Sequence, residues 1–137
     1  MTSPAITEIM TVDPDTIERA SPISEAYDIL QRAPFHHLIV VEGDDPVGMV
    51  ASSDVLRLVY DADGTSETRL RAFLDHQFSI EDAMSEDLQT LPTTASVQDA
   101  AAAMADGRTH SVVVLDDGAL AGIVTTTDLV RYVRDNG

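Results

Sequence analysis

The sequence predicts a mixed α/β (α+β) fold built from two similar units, each a small three-stranded sheet packed with two helices. Two observations support this fold class: an internal repeat, and the same order of apolar patterns within each copy. A shift of 74 positions aligns residues 6–60 with residues 80–134 without a gap, and twelve of the 55 aligned pairs are identical. A repeat of this length indicates two copies of one structural unit. We therefore expect a pseudo-twofold arrangement with two equivalent clefts.

Each copy begins with a short apolar turn and a brief extended segment. An amphipathic helix follows, because apolar residues recur at helical spacing from Ile23 to Leu30 and from Val97 to Met104. Two apolar strands around a turn rich in Gly and Asp then predict a β-hairpin, and a second helix closes the copy. The predicted elements are turns at 6–10 and 80–84, extended segments near 16–19 and 90–91, strand pairs at 37–41/47–51 and 111–115/120–125, and closing helices near 53–60 and 127–134.

The segment between the copies has no counterpart ahead of the first copy. Its first residues are loop-like, and residues 67–78 predict a further helix. The expected organisation is a first unit over 1–60, a connector over 61–79 and a second unit over 80–137. Because a copy of this length is marginally stable alone, we expect the two units to share a core.

The charge of the chain is strongly acidic, with 24 Asp and Glu against 8 Arg, no Lys and a net charge of −16. A surface of this kind opposes binding to nucleic acids and to anionic membranes. The acids are spread along the chain, which is typical of a halophilic protein from a high-salt cytoplasm, where charges are screened within about 3 Å. There is no Cys, which excludes disulfides and thiolate chemistry. No apolar run has the length of a membrane span and the start lacks a signal-peptide pattern, so we expect a cytoplasmic location and no membrane insertion.

Motifs in both copies resemble those of one known family, the cystathionine-β-synthase (CBS) domains. The second copy carries IEDAM at 80–84, SVVVLDDG at 111–118 and GIVTTTDL at 122–129, and the first copy has weaker counterparts such as GMVASSDV at 48–55. The order of elements and these motifs resemble a tandem CBS pair, or Bateman module. The resemblance implies a regulatory, non-enzymatic module that forms a homodimer and requires no cofactor. It also implies binding of AMP, ADP, ATP or S-adenosylmethionine in the cleft between the two units, and regulation of an unidentified partner protein.

The resemblance further implies that Thr125, Thr127 and Asp128 read the ribose and α-phosphate where the last strand meets the last helix. A helix start offers free backbone N–H groups and a partial positive charge. The first copy has Ala51 where the second has Thr125, and Ala cannot hydrogen-bond through its side chain. We therefore expect the cleft of Asp128 to be the main site. An alternative that needs no ligand is helix capping, with Thr127 as the N-cap and Asp128 in the first turn.

The candidate binding residues form a main set and a weaker set. In the main set, the base is expected against the opening turn and the stretch before the central strand of the second copy. The main set is Met84, Ser85, Asp87, Leu88, Gln89, Thr109, His110, Thr125, Thr127, Asp128, His36 and His37. The weaker set is Thr11, Asp13, Pro14, Phe35, Ser53, Asp54, Arg108 and Ser111.

The phosphate partners implied for the main cleft are histidines, and His is charged only near or below about pH 6.5. An AMP-like ligand is therefore favoured over ATP. His36, His37 and His110 do not predict a metal site, because adjacent residues on a strand point to opposite faces. No catalytic motif occurs in the sequence. The alternative function is a ligand-free structural or dimerisation module, favoured by Ala51 and by the shortage of basic phosphate partners.

Overall fold

A computed structural model describes residues 4–32, 37–59, 66–107 and 109–136. The predicted mixed α/β class is confirmed, and the elements follow the expected order in both copies. The elements of the first copy are a 3-10 turn (Ile6–Glu8), β1 (Thr11–Val12), β2 (Thr16–Glu18), α1 (Ile23–Arg32), β3 (His37–Glu42), β4 (Asp45–Ala51) and α2 (Ser52–Val59). The elements that follow are α3 (Glu67–Gln77), α4 (Ile80–Ala83), β5 (Thr90–Pro92), α5 (Val97–Met104), β6 (Ser111–Asp116), β7 (Ala119–Thr125) and α6 (Thr126–Asn136).

The chain divides into two compact units that do not coincide with the two sequence copies. One unit is Asp15–Asp87, called here the Asp54 unit. The other combines Met1–Pro14 with Leu88–Gly137 and is called the Asp128 unit. Each unit therefore contains the sheet of one copy together with the opening turn of the other copy.

The Asp54 unit contains a three-stranded sheet in the order β2-β3-β4, with β2 parallel and β4 antiparallel to β3. Its core joins buried residues of the sheet and of α1 to Leu74 of the connector helix α3. The carboxylate of Asp75 accepts hydrogen bonds from the backbone N–H and the hydroxyl of Ser24, at 2.9 and 2.7 Å. Arg71 also pairs with Asp28 at 2.7 Å. The connector helix predicted from the sequence is therefore part of this unit.

The Asp128 unit contains a four-stranded sheet in the order β1-β7-β6-β5, one strand more than the sequence predicted. The additional strand is β1, which comes from the first copy and pairs antiparallel with β7, so that Thr11 lies opposite Ile123. Below the sheet, Ile6 is fully buried in a core with Val112 and Val124. The first fourteen residues thus supply both an edge strand and a core residue to this unit.

Two matched glycines permit this exchange of opening turns. A Cβ at Gly122 would lie 2.7 Å from the Thr11 carbonyl oxygen and 2.8 Å from Met10 Sδ. A Cβ at Gly48 would lie 2.9 Å from the Ser85 carbonyl oxygen and 2.8 Å from Met84 Sδ. Only a residue without a Cβ lets the turn approach the hairpin so closely. The two identical glycines therefore have the same physical role in both units.

Candidate functional site

Thr125 and Asp128 form a reciprocal set of hydrogen bonds at the start of α6. Asp128 Oδ2 accepts from the Thr125 backbone N–H at 2.8 Å and from its hydroxyl at 3.1 Å. Thr125 Oγ1 in turn lies 3.3 Å from the Asp128 backbone N–H. This arrangement is a capping box in which Thr125 is the N-cap. The capping alternative named Thr127 as the N-cap, which is wrong, because Thr127 lies exposed inside the first turn.

The equivalent position in the Asp54 unit keeps only part of this arrangement. Asp54 Oδ2 accepts from the Ala51 backbone N–H at 3.0 Å. Ala51 has no hydroxyl, so the two side-chain contacts made by Thr125 have no counterpart at this position. Arg57 Nη2 lies 3.8 Å from Asp54 Oδ1. The two helix starts therefore share an Asp but differ in the polar groups beside it.

The end of α6 that carries Asp128 lies next to the start of β6. The Thr126 backbone N–H donates to the His110 carbonyl at 3.0 Å. Ser111 lies opposite Thr125 in the β6–β7 ladder, and the Thr109 hydroxyl donates to the Ser111 carbonyl at 2.9 Å. The predicted residues Thr109 and His110 are therefore brought close to the start of α6.

Leu88 and Gln89 also lie in the Asp128 unit, just before β5. The Gln89 carbonyl accepts from the Val113 backbone N–H at 2.8 Å, which extends the parallel pairing of β5 with β6. Leu88 is half-buried and Gln89 is exposed. Leu88 and Gln89 therefore precede β5, which pairs with β6. The first residue of β6, Ser111, lies opposite Thr125.

Each opening turn lies in the compact unit of the other copy. The main set placed the turn of Met84 with Asp128, and the weaker set placed the turn of Thr11 with Asp54, but the structure shows the reverse. Met84, Ser85 and Asp87 belong to the Asp54 unit, where Ser85 exchanges backbone hydrogen bonds of 2.9 and 2.8 Å with Met49 of β4. Thr11 takes the equivalent place beside β7 in the Asp128 unit. The physical reason is the close approach that Gly48 and Gly122 allow, which docks each turn on the sheet of the other copy.

An ion pair holds the second opening turn in the Asp54 unit. Arg19 donates to Glu81 Oε1 at 2.7 Å and lies 3.8 Å from Glu42. The hydrogen bond that Arg19 donates to Glu81, together with the negative charge of Glu81, raises the pKa of Arg19 above its usual value. A raised pKa keeps the Arg19 guanidinium charged throughout the physiological pH range.

The remaining predicted residues divide between the two units. The Asp128 unit also contains Asp13, Pro14 and Ser111, and Asp13 adopts a left-handed conformation with φ of 56°. His37 and Ser53 lie in the Asp54 unit, where His37 is opposite Ala51 in the ladder. Phe35, His36 and Arg108 lie outside the described residues.

A groove with a volume of about 520 Å³ lies beside α6 in the Asp128 unit and was not predicted from the sequence. It is lined by Pro4, Glu8, Ile9, Asp128, Arg131, Tyr132, Asp135 and Asn136. The spacing of Arg131 three residues after Asp128, on the same helix face, was the signal that could have identified it.

Among the described residues, no group of His, Asp and Glu is arranged to hold a metal ion. Within the same residues, no helix is both long and apolar enough to cross a lipid bilayer.

The fold and the two helix starts define a class of tandem-repeat α/β protein in which an Asp follows each hairpin by three residues. The family model for the CBS domain matches residues 6–61 and 80–135. The chain therefore belongs to the CBS domain family and contains two CBS domains, as the motifs predicted.

Individual relatives agree with this assignment. The uncharacterised protein MJ1404 of Methanocaldococcus jannaschii is 29% identical over 140 residues, which cover 95% of this chain and 32% of that protein. The CBS domain pair of protein MJ0100, solved with 5′-methylthioadenosine and S-adenosyl-L-methionine, is 25% identical with a TM-score of 0.77, over 99% of this chain and 100% of that chain. CBSX2, solved with AMP, has the same fold, with 20% identity and a TM-score of 0.76 over 96% and 97% of the two chains. The chain spans 32% and 54% of the lengths of the two curated relatives that it matches.

Proposed function

We propose that this chain is a regulatory module that binds an adenosine-containing ligand at the start of α6. The observation that carries the proposal is the Thr125–Asp128 pair, placed at a strand-to-helix junction in a CBS domain. The ligands of the MJ0100 CBS pair and of CBSX2, which are all adenosine derivatives, support it. The role is sensing, and the chain itself performs no catalysis.

The geometry at Asp128 supports binding of a ribose diol. Both hydrogen bonds that its carboxylate accepts from Thr125 use Oδ2. Within the described residues, Oδ1 of the half-buried Asp128 has no hydrogen-bond partner. A carboxylate oxygen in this state is an acceptor available to a ribose hydroxyl. The capping box also fixes the carboxylate, so little side-chain entropy is lost when the ligand binds.

The exchange of opening turns changes which residues we propose for this site. Thr11 lies beside β7 in the unit of Asp128, so the first opening turn, and not Met84 or Ser85, is the turn nearest this helix start within a unit. Thr109, His110, Leu88 and Gln89 stay in the proposed site, because they lie in the same unit.

A ligand with few phosphates is favoured over ATP. The described cations of the Asp128 unit are Arg131 and Arg134, and Arg134 is paired with Asp135 at 2.9 Å. Four negative charges of a triphosphate would need more basic groups than these. An AMP-like ligand therefore fits the unit better than ATP does.

Isothermal titration with AMP, ATP and S-adenosylmethionine tests the proposed function. The titration belongs in molar KCl as well as in dilute buffer, because the net charge of −16 indicates a protein suited to high salt. At least one adenosine ligand is expected to bind, with ATP weaker than AMP. No binding by any of the three, with the thermal unfolding transition intact, would refute the proposed function.

A homodimer is part of the proposal. The closing helices of both copies expose apolar side chains at equivalent positions, with Leu56 in α2 57% exposed and Val130 in α6 67% exposed. Val133, one turn further along α6, is 63% exposed. Val130 and Val133 lie one turn apart on α6, and we propose that they belong to the surface that meets a second copy of the chain. Sedimentation of Val130→Glu, compared with the wild type, is expected to show a shift towards the monomer.

A second candidate function is a structural module that holds a partner protein without a ligand. The capping box favours it, because Thr125 and Asp128 already bond with each other. In that case, Asp128→Asn would change stability without changing any ligand affinity. Mass spectrometry of small molecules released from the purified protein separates the two candidates, since a co-purified adenosine compound excludes the ligand-free role.

A further inference from the structure

We propose that Met10 and Met84, the last residues of the two opening turns, are reversible oxidation sites whose conversion to the sulfoxide releases each turn from its sheet. The two residues are equivalent in the repeat, and each compact unit contains one of them. These modification sites lie beyond the proposed function, because they need no ligand.

The sulfur atoms of the pair lie where the opening turns meet the sheets. Met10 Sδ is only 2.8 Å from the position that a Cβ would take at Gly122, and Met10 Cγ is 3.1 Å from it. Met84 Sδ is likewise 2.8 Å from the Cβ position of Gly48, with its Cγ at 3.3 Å. Each thioether therefore covers a glycine, and close docking of the turn depends on the fit of the sulfur against the backbone.

A sulfoxide does not fit into this contact. The space between each sulfur and its glycine does not admit even a Cβ, so an oxygen on that side of the sulfur would overlap the backbone. Each Met also packs against the apolar core of its unit, where a polar oxygen without a hydrogen-bond partner costs free energy. The side chain therefore has to turn into water to hydrate the oxygen, which removes the thioether from the glycine.

Both thioethers are within reach of a small oxidant. Met10 and Met84 are half-buried, whereas Met104, in the core of the Asp128 unit, is only 5% exposed. The chain has no Cys, so no thiol of the protein competes for the oxidant. Because susceptibility to oxidation follows exposure, we expect Met10 and Met84 to react before Met104.

The chemistry is the transfer of one oxygen atom from a peroxide. The thioether sulfur attacks one oxygen of hydrogen peroxide, the O–O bond breaks, and the other oxygen leaves as water after a proton transfer. The sulfur loses two electrons and the peroxide gains them. A methionine sulfoxide reductase with a dithiol donor reverses the step, since the oxygen leaves as water and the dithiol becomes a disulfide. Docking of the turns can therefore follow the redox state of the surroundings.

Graded treatment with hydrogen peroxide, followed by peptide mass spectrometry and thermal unfolding, tests the pair. Sulfoxides at Met10 and Met84 are expected to form before that at Met104 and to lower the unfolding midpoint by about 5 °C or more. Treatment with methionine sulfoxide reductase and dithiothreitol should restore the midpoint.

A double variant identifies the residues that are responsible. Met10→Leu combined with Met84→Leu nearly conserves side-chain volume, so the protein is expected to fold. Its midpoint should be unchanged by peroxide, although Met1, Met49 and Met104 are still present. Met104→Leu is the matched control, and its midpoint should fall after peroxide treatment as that of the wild type does.

The single variant Met84→Leu isolates the first opening turn. After peroxide treatment, amide exchange is expected to rise about fivefold or more at residues 11–12 and 122–123, because these residues pair β1 with β7 beside Met10. In this variant, exchange in the Asp54 unit should stay at the level of the untreated protein.

The single variant Met10→Leu isolates the second opening turn. Exchange should then rise at the amides of Met49 and Ser85, which bond to each other's carbonyls at 2.9 and 2.8 Å, and not in the Asp128 unit. Equal increases in both units of either single variant would show general loosening and would overturn the local release of one turn.

Four further results overturn the proposal. They are an unchanged midpoint when both residues are fully oxidised, an equal loss in the double variant, no recovery with the reductase, and oxidation of Met104 as early as that of Met10 and Met84. Because the ligand titrations are made without an oxidant, each of these results leaves the proposed function standing.

Discussion

One substitution between the copies, Ala51 against Thr125, changes the chemistry of the two helix starts. Both copies keep the Asp that accepts a backbone hydrogen bond three residues earlier, at 3.0 Å for Asp54 and 2.8 Å for Asp128. Only Thr125 adds a hydroxyl, which completes a capping box and fixes the carboxylate. The capping role of this pair is therefore compatible with the proposed ligand-binding role, because the Thr125 hydroxyl that completes the cap also fixes the Asp128 carboxylate.

Replacing Thr125 tests the capping role directly. Thr125→Ala is expected to lower the free energy of unfolding by about 1 kcal/mol, because the helix loses its N-cap side chain. Thr125→Ser keeps the hydroxyl and should lose much less. The measurement is the midpoint of urea denaturation for each variant. Thr127→Ala is the control, since Thr127 is exposed, and an effect as large as that of Thr125→Ala would contradict the assignment of the cap.

The opening turns are the elements that depart most from the expected organisation. The turn at residues 6–10 packs in the unit of Asp128, and α4 with Ser85 packs in the unit of Asp54. Backbone pairing of Ser85 with Met49, and of Thr11 with Ile123, anchors the turns at the sheet edges. Docking at each edge depends on a glycine with no Cβ, which makes these contacts sensitive to a single methyl group.

Gly122→Ala tests the docking of the first opening turn. The new Cβ would meet the Thr11 carbonyl oxygen at 2.7 Å, and a backbone atom cannot move aside without breaking the β1–β7 pairing. Overpacking of this kind is expected to cost about 1–3 kcal/mol of unfolding free energy. Ala119→Ser, at an exposed position of the same strand, should change stability by less than about 0.5 kcal/mol. Equal stabilities of the two variants, measured by thermal unfolding, would show that the turn does not dock at Gly122.

At the scale of the whole molecule, the sequence repeat and the compact units are offset from each other. The chain crosses from the Asp128 unit to the Asp54 unit after Pro14 and returns after Asp87. Each core therefore includes a buried residue from the other copy, with Ile6 in the Asp128 unit and Ile80 in the Asp54 unit. We infer that neither copy can complete its own core, which links the stability of each unit to residues far away in the sequence.

Matched core substitutions test this offset. Ile6→Ala should cost about 2–5 kcal/mol, since Ile6 is fully buried, and should lower amide protection mainly at residues 112–114 of the second copy. Ile80→Ala should instead lower protection mainly at residues 38–40 of the first copy. Hydrogen exchange followed residue by residue measures both effects. Losses confined to the mutated copy in each case would contradict the exchange of opening turns.

The sequence was sufficient to predict the parts of the molecule that depend on local patterns. The repeat, the hairpins, the closing helices and the helix at Glu67–Gln77 all follow from periodicity and turn residues. The exchange of opening turns was not predictable, because it depends on tertiary packing. The sequence does not show whether a glycine contacts the opening turn of its own copy or that of the other copy. The N-cap expected at Thr127 lies two residues after the observed N-cap, Thr125, because sequence patterns define helix ends only to within one or two residues. Arg131 was overlooked because its place beside Glu8 depends on how the first turn packs.

The central claim is that Asp128, and much less Asp54, holds the adenosine ligand, and matched substitutions at the two positions test it most directly. Asn keeps a side-chain oxygen for the helix cap and removes the charge that the ribose hydroxyls would meet. Titration of AMP or S-adenosylmethionine into Asp128→Asn should show an affinity at least about tenfold below that of the wild type. Asp54→Asn should remain within about threefold of the wild type. Equal losses in the two variants, or full affinity in Asp128→Asn, would contradict the account.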